Sequence, residues 1–145
     1  MRRSARSRYG PFHTERCGEL PPELLQRGIE QLNRGEYFEQ HETLELLWRA
    51  ETDDVRYLYQ GILLVGVGLL HLQRGNFHGA EVKLATGVRL LQWFTPACQG
   101  VDVTALIADA TRAREAILAL GPTRLAEFDP SRLPRVRFAT KDTVR

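Results

Sequence analysis

The stretch from Leu58 to Leu72 constrains the fold more than any other part of this 145-residue chain. It is apolar almost all round a helical projection, and a helix of that kind has to be enclosed by other structure. Its longest unbroken apolar run, Ile62 to Leu70, is nine residues, against the roughly 20 that span a bilayer. Other helices, and not lipid, are therefore expected around it. Gly61, Gly66 and Gly68 fall inside it, each costing up to about 1 kcal/mol relative to alanine, which is best explained by helices packed closely against those positions.

The flanking segments read as those helices. Pro21-Pro22 precede the spaced apolar residues Leu24, Leu25, Ile29 and Leu32, and the run ends at Asn33-Arg34-Gly35, a proline start and a glycine stop. A second helix carries Tyr37, Phe38, Leu44, Leu47 and Trp48 and breaks at Glu51-Thr52-Asp53-Asp54, and the central helix runs from Asp54 or Val55 to Arg74. Gly75 stops that helix and Asn76 caps a fourth, through Val82, Leu84, Val88, Leu90, Leu91 and Trp93 to Pro96. Asp102 caps a fifth, Val103 to Leu120, ended by Gly121-Pro122. No segment sustains period-2 alternation, so no β-sheet is expected.

With 43% hydrophobic and 26% charged residues, the composition is that of an ordinary globular domain. The expectation is an all-α, single-domain bundle of about five helices built from antiparallel helical hairpins. Its boundaries are a flexible arginine-rich leader over 1–20, a helical domain over 21–121 and an irregular basic tail over 122–145, the first part of which lays Leu125, Phe128 and Leu133 on the bundle. Arg34-Gly35-Glu36-Tyr37 and Arg74-Gly75-Asn76-Phe77, 40 residues apart, form an internal echo of the kind helical repeats use to turn between helices.

Charge separates the ends from the body. Residues 1–8 carry four arginines, residues 132–145 carry five basic residues against Asp142, and residues 9–131 hold 11 basic against 17 acidic groups. An acidic body argues against a nucleic-acid partner, and the basic ends read as solvated termini. Tyr9 to Leu20 offers no apolar core for a secretory signal, and Glu15 and Glu19 interrupt a transit-peptide pattern, so a cytoplasmic location is expected. Cys17 and Cys98, without a C-x-x-C pattern, are expected as reduced structural thiols.

Polar chemistry concentrates between Glu39 and Arg49. If Phe38 centres the buried face, His41 and Glu45 fall inside an aromatic stripe with Tyr37 and Trp48. Arg49 and Glu42 then sit on its margin, while Glu39 and Gln40 face solvent. A carboxylate in such a stripe is costly unless paired, so a neighbouring helix has to answer Glu45. The central helix offers Gln60, Leu64, Val67 and His71 on one stripe, with Arg56 and Tyr57 at its edges. Antiparallel packing across the turn near Asp53 sets Glu45 level with Gly61 and so near Gln60. His71 falls roughly 9 Å beyond the level of His41, close to His78 and Phe38.

The run Gly35-Glu36-Tyr37-Phe38-Glu39-Gln40-His41-Glu42-Thr43-Leu44-Glu45 to Trp48-Arg49, followed by Tyr59-Gln60-Gly61, His71, Gly75-Asn76 and Gly79-Ala80, resembles the family known as domain of unknown function 309. The resemblance covers about residues 25–95, and H-E-x-x-E-x-x-W-R is its most specific part. It implies a small all-α domain, found mainly in bacteria and archaea, with His41, Glu42, Glu45, Trp48, Gln60 and His71 in motif positions, and it implies no activity. Gln40 stands where that family usually has alanine or a similarly small residue.

Three functions fit these residues. The leading expectation is an interaction module, in which the hairpins show a groove to a protein partner or form a homodimer, and His41, Glu45, Arg49 and Gln60 make a network that fixes helix register. The alternative is a small-ligand pocket between walls of Trp48 and Tyr57, drawing on His41, Glu42, Glu45, Arg49, Gln60 and His71. In its metal-dependent form, His41 and Glu45 at i and i+4 hold a divalent ion as in the zinc helix H-E-x-x-H. Glu42 is then placed like that motif's general base, and His71 or Gln60 completes the set. The chain has no E-x-x-H spacing, which counts against a di-iron site, and no G-x-S-x-G or P-loop pattern. No reaction and no cofactor are assigned.

Overall fold

Helix α3 (Arg56–Gln73) runs through the middle of the structure, a computed structural model describing residues 7–139, between α2 (Tyr37–Ala50) and α4 (Phe77–Leu91). Leu58, Tyr59, Ile62, Val65 and Leu69 are sealed from solvent. The glycines lie where its neighbours press closest. A side chain at Gly61 would meet Leu91, one at Gly68 would meet Leu84, and one at Gly66 would run into Gln40 of α2.

That last contact corrects the placing of Gln40 at the surface. The side chain is fully buried, its Nε2 donates to the Ile62 carbonyl at 3.1 Å, and Gly66 provides the room. The bulk of Gln40 fits because Gly66 opposite it has no side chain.

Helix α1 (Glu23–Asn33) packs on α2, and α3 packs on α4, as two hairpins with the same turn. Gly35 and Gly75 take the left-handed backbone, φ 78° and 74°. Glu36 N donates to Gln31 O at 2.9 Å, and Asn76 N to His71 O at 2.8 Å, the closing bond of a Schellman motif in both cases. The 40-residue echo extends into the packing, because a side chain at Gly28 would strike Leu44 just as one at Gly68 would strike Leu84. Helix α5 (Val103–Leu120) lies on α4 and is tied to it by Arg114, which donates to the Glu81 carbonyl at 3.1 Å and to Glu81 Oε1 at 2.9 Å. The caps fall where the sequence places them: Asn76 Oδ1 accepts from Gly79 N, and Asp102 Oδ1 from Ala105 N.

Between α4 and α5 the chain forms a hairpin of two-residue strands, β1 (Ala97–Cys98) and β2 (Val101–Asp102), which the sequence reading did not foresee. Strands this short leave no alternation to read. The turn residues Gln99 and Gly100 both have positive φ, 46° and 81°, as a two-residue hairpin turn of the primed type requires.

The leader is fastened to the bundle rather than standing apart from it. Among its described residues, Phe12 is buried, and Tyr9 and Cys17 pack against the core. Thr14 donates to Asp53 at 2.6 Å, His13 N to Asp54 at 3.1 Å, and Arg16 pairs with Glu51 at 2.8 Å. Cys17 and Cys98 form a disulfide, correcting the expectation of two free thiols; the fold brings together cysteines whose spacing carried no signal.

In the tail, Leu125 is buried and Phe128 and Leu133 lie against the core, and Val136 exchanges two hydrogen bonds with the Asn33 side chain. Arg2, Arg3 and Arg6 of the leader and residues 140–145 of the tail lie outside the described residues. Among those described, no helix is long and apolar enough to cross a membrane.

Two stability measurements test this packing. Gly66→Ala should cost about 1–3 kcal/mol by overpacking, and on a Gln40→Ala background that cost should vanish, since the obstructing side chain is gone; urea unfolding of the four-variant cycle checks it. Reducing Cys17–Cys98 should lower stability by about 2–4 kcal/mol, the range expected for releasing a long covalent loop, seen as a fall in the thermal midpoint that Cys98→Ser reproduces.

Candidate functional site

The buried face of α2 is set by Tyr37, Gln40, Thr43 and Leu44, with Leu47 and Trp48 partly covered. Phe38 is 49% exposed and Leu46 64%. The face is therefore rotated from the stripe centred on Phe38, since that aromatic ring turns toward solvent and Gln40 turns into the core. His41 and Glu45 consequently lie at its edge, with side chains 38% and 31% exposed.

Glu45 is answered by its own helix and not by a neighbour. His41 Nε2 lies 3.2 Å from Glu45 Oε2, and Arg49 Nη2 lies 2.6 Å from Glu45 Oε1. The expected pairing with Gln60 is not among the hydrogen bonds of the described residues. This is a ladder of i, i+4 pairs along an exposed helix edge, an arrangement worth a few tenths of a kcal/mol per pair. Glu42 is exposed one position away. Among the described residues no group of three or more His, Cys, Asp or Glu is gathered to hold a metal ion. The metal expectation on His41 and Glu45 thus finds two donors, the carboxylate already shared with a guanidinium.

His71 is placed apart from that ladder, at the turn, where the sequence put it. Its Nδ1 lies 3.2 Å from Asn76 Nδ2, and its ring covers Gly79. Burial holds the imidazole below its ordinary value of 6.5, with Lys83 and Arg74 adding repulsion.

Three of the candidates do converge. Trp48, Tyr57 and Gln60 line a cavity of about 500 Å³ with Leu64 of α3, with Val82, Lys83, Thr86 and Leu90 of α4, and with Arg8 and Tyr9 of the leader. Aromatic packing holds its walls. Tyr57 stacks on Phe12, ring centroids 3.8 Å apart, and the Arg56 guanidinium lies 4.6 Å from the Trp48 ring. Trp93 Nε1 donates to the Tyr9 carbonyl at 2.7 Å, and Arg89 covers the Tyr9 ring at 3.9 Å. The Trp48 indole N–H is buried without a partner among the described residues.

Sequence reasoning missed the α4 and leader contributions. A signal existed in α4, where Val82, Thr86 and Leu90 recur every four residues beside Lys83. Nothing local could place Arg8 and Tyr9, which reach the cavity through the disulfide-anchored strap.

The family model for a domain of unknown function, DUF309, matches residues 25–82. Over that segment the chain is similar to the DUF309 family. No curated protein matches it. The DUF309 segment runs from α1 into α4 and contains every candidate from His41 to His71. Of the cavity's lining it holds Trp48, Tyr57, Gln60, Leu64 and Val82, while Lys83, Thr86, Leu90 and the leader residues lie outside it.

Two expected outcomes follow from this geometry. Glu45→Gln should change stability by less than about 1 kcal/mol, because exposed ion pairs contribute little; chemical denaturation measures it. Since His71 binds its proton less readily in the fold than in the unfolded chain, its contribution should fall as pH drops below 6.5 and level off above it. Urea midpoints between pH 5 and 8 should show that slope, and His71→Gln should flatten it.

Proposed function

We propose that this protein binds a small organic anion with a flat or apolar body in the cavity between α2, α3 and α4. The observation that carries this reading is the composition of the lining: three aromatic rings, Trp48, Tyr57 and Tyr9, with two cations, Arg8 and Lys83, and no carboxylate. Arg56 and Arg89, stacked on those rings, add to the positive field. In a body that is acidic overall, such a reversal of sign at one concave surface concentrates anions. Gln60 and Thr86 supply the few polar groups that orient a ligand, and the cavity is of the size such ligands occupy.

The interaction-module reading ranks below this one. What supports that order is the outer edge of α2, where Phe38 and Leu46 are exposed with the charged Glu42 between them, a narrower apolar surface than a stable interface uses. The Cys17–Cys98 disulfide weighs against the expected cytoplasmic setting, since such bonds persist in oxidising compartments.

Calorimetric titration of the full chain with naphthalene-2-carboxylate tests the proposal. Saturable binding is expected, weakened about tenfold by Lys83→Met, equivalent to about 1.4 kcal/mol, and lost in Thr86→Trp, which fills the cavity. No saturable binding, or binding indifferent to both substitutions, rejects it. A dimer in sedimentation that Leu46→Glu dissociates returns the interaction module to first place.

A further inference from the structure

A second concave surface, sharing no residue with the ligand cavity, has a different character. It is a cavity of about 450 Å³ lined by Arg112 of α5 and by Ser131, Arg132, Leu133, Arg135 and Arg137 of the tail, with Asp109 as its one acid. Four guanidinium groups against one carboxylate leave a local excess of three positive charges. Arginines crowded in this way repel one another, and the arrangement is favourable when an anion fills the space between them.

The surface is organised rather than a loose patch. The Asp109 side chain is only 12% exposed and uses both oxygens. Oδ1 accepts from Arg112 Nη2 at 2.7 Å, and Oδ2 from Arg137 Nη1 at 2.9 Å and from Arg135 N at 3.3 Å. One partly buried carboxylate therefore aims two arginines and fixes the backbone that carries a third. That backbone is pinned further on, by the two bonds between Val136 and Asn33 and by Asp102 N donating to Arg137 O at 2.9 Å. A turn at Pro130–Arg132, capped by Asp129 accepting from Ser131 N at 2.9 Å, sets the near end. Asp129 lies close enough to Arg132 to feel its charge, but it lines a neighbouring hollow and not this one. The side chains of Arg132 and Arg135 have no hydrogen bond or ion pair among the described residues.

We propose that this pocket binds a phosphate group carrying two or more negative charges, either as free phosphate or diphosphate or as the phosphoryl end of a small molecule. Arginine suits that group because its planar fork meets two oxygens at once and never loses its charge. Asp109 is a positioning residue, holding Arg112 and Arg137 toward the space that Arg132 and Arg135 complete. The cavity exceeds a bare phosphate in size, which leaves room for an organic remainder.

Calorimetry of the full chain at about 150 mM salt, a strength that largely screens exposed charges, tests the assignment with pyrophosphate, inorganic phosphate, sulfate and a nucleoside diphosphate. One saturable site for pyrophosphate is expected, with at least tenfold weaker binding in the double variant Arg132→Gln, Arg135→Gln and unchanged binding in Arg124→Gln, an exposed arginine paired with Glu127 outside the pocket. Tighter binding of the nucleoside diphosphate than of pyrophosphate assigns the remaining space to the organic group; equal binding assigns recognition to the phosphates alone.

Asp109→Asn separates a built site from a diffuse field. Removing a negative charge strengthens any anion's attraction to a mere patch, so weaker pyrophosphate binding in a variant with a native circular dichroism spectrum supports the positioning role, and tighter binding overturns it. Absence of saturable binding, equal affinity for sulfate, or indifference to the double variant also overturns the proposal. So does a duplex DNA that competes pyrophosphate away with a steep salt dependence, since the surface is then a polyanion track. Lys83→Met leaves pyrophosphate binding unchanged, so this result and that for the first cavity stand or fall separately.

Discussion

Leu58, Tyr59, Ile62, Val65 and Leu69 of α3 are all sealed from solvent, so this helix is enclosed by its neighbours along its length. A helix apolar nearly all round has no face to give to water, so both sides have to be covered by helices, and the closer those approach the more apolar surface is removed. Glycines at 61, 66 and 68 permit that approach toward Leu91, Gln40 and Leu84. Their helix-propensity cost, up to about 1 kcal/mol each, is offset by contacts that alanine would forbid. The pairing of Gln40 with Gly66 shows the same trade in detail: the Gln40 side chain of α2 occupies the space that Gly66 of α3 leaves open, and one amide proton finds the Ile62 carbonyl.

The two hairpins satisfy that requirement with one solution used twice. Equivalent left-handed glycines end α1 and α3, equivalent backbone bonds close the turns, and Gly28 faces Leu44 as Gly68 faces Leu84. What differs is the outer surface. In α2 the edge beside the core carries the ladder from His41 to Arg49, exposed and internally paired. The cavity forms instead where the end of α2 meets the α3–α4 hairpin, bounded by rings that arginines cover.

The described parts of the leader and tail both converge on the small hairpin between α4 and α5. Gln99 N donates to Cys17 O at 2.7 Å, Cys98 bonds to Cys17, and Ala139 N donates to Gly100 O at 2.7 Å. Gln99 is itself buried and accepts a 2.6 Å hydrogen bond from the Tyr59 hydroxyl at the core of α3; burial pushes that hydroxyl up to about 12, so it remains a donor at any physiological pH. The hairpin thus ties both irregular segments to the central helix; the leader carries Arg8 to one concave, cation-lined surface and the tail carries Arg132, Arg135 and Arg137 to the other. The net acidity of the body hides this, because attraction of an anion depends on the local field and not on the sum.

The sequence alone determined the helices and their order. Apolar periodicity, glycine stops and side-chain caps are local, and Gly35, Gly75, Asn76 and Asp102 act on backbone within a few residues of themselves. It also put α3 at the centre, the close approaches at its glycines, and His71 at the turn.

Tertiary structure decided whatever depends on which way a helix is rotated or on residues far apart in the chain. Phe38 and Gln40 exchanged places between core and surface, because a helical projection shows the relative angles of residues but not which face the neighbours cover. Glu45 found its partners on its own helix for the same reason. The Cys17–Cys98 bond, the two-residue strands, Arg8 and Tyr9 beside Trp48, and Asp109 aiming the tail arginines all join segments whose spacing carries no pattern. Such contacts are specified by the whole packed chain and not by any window of it.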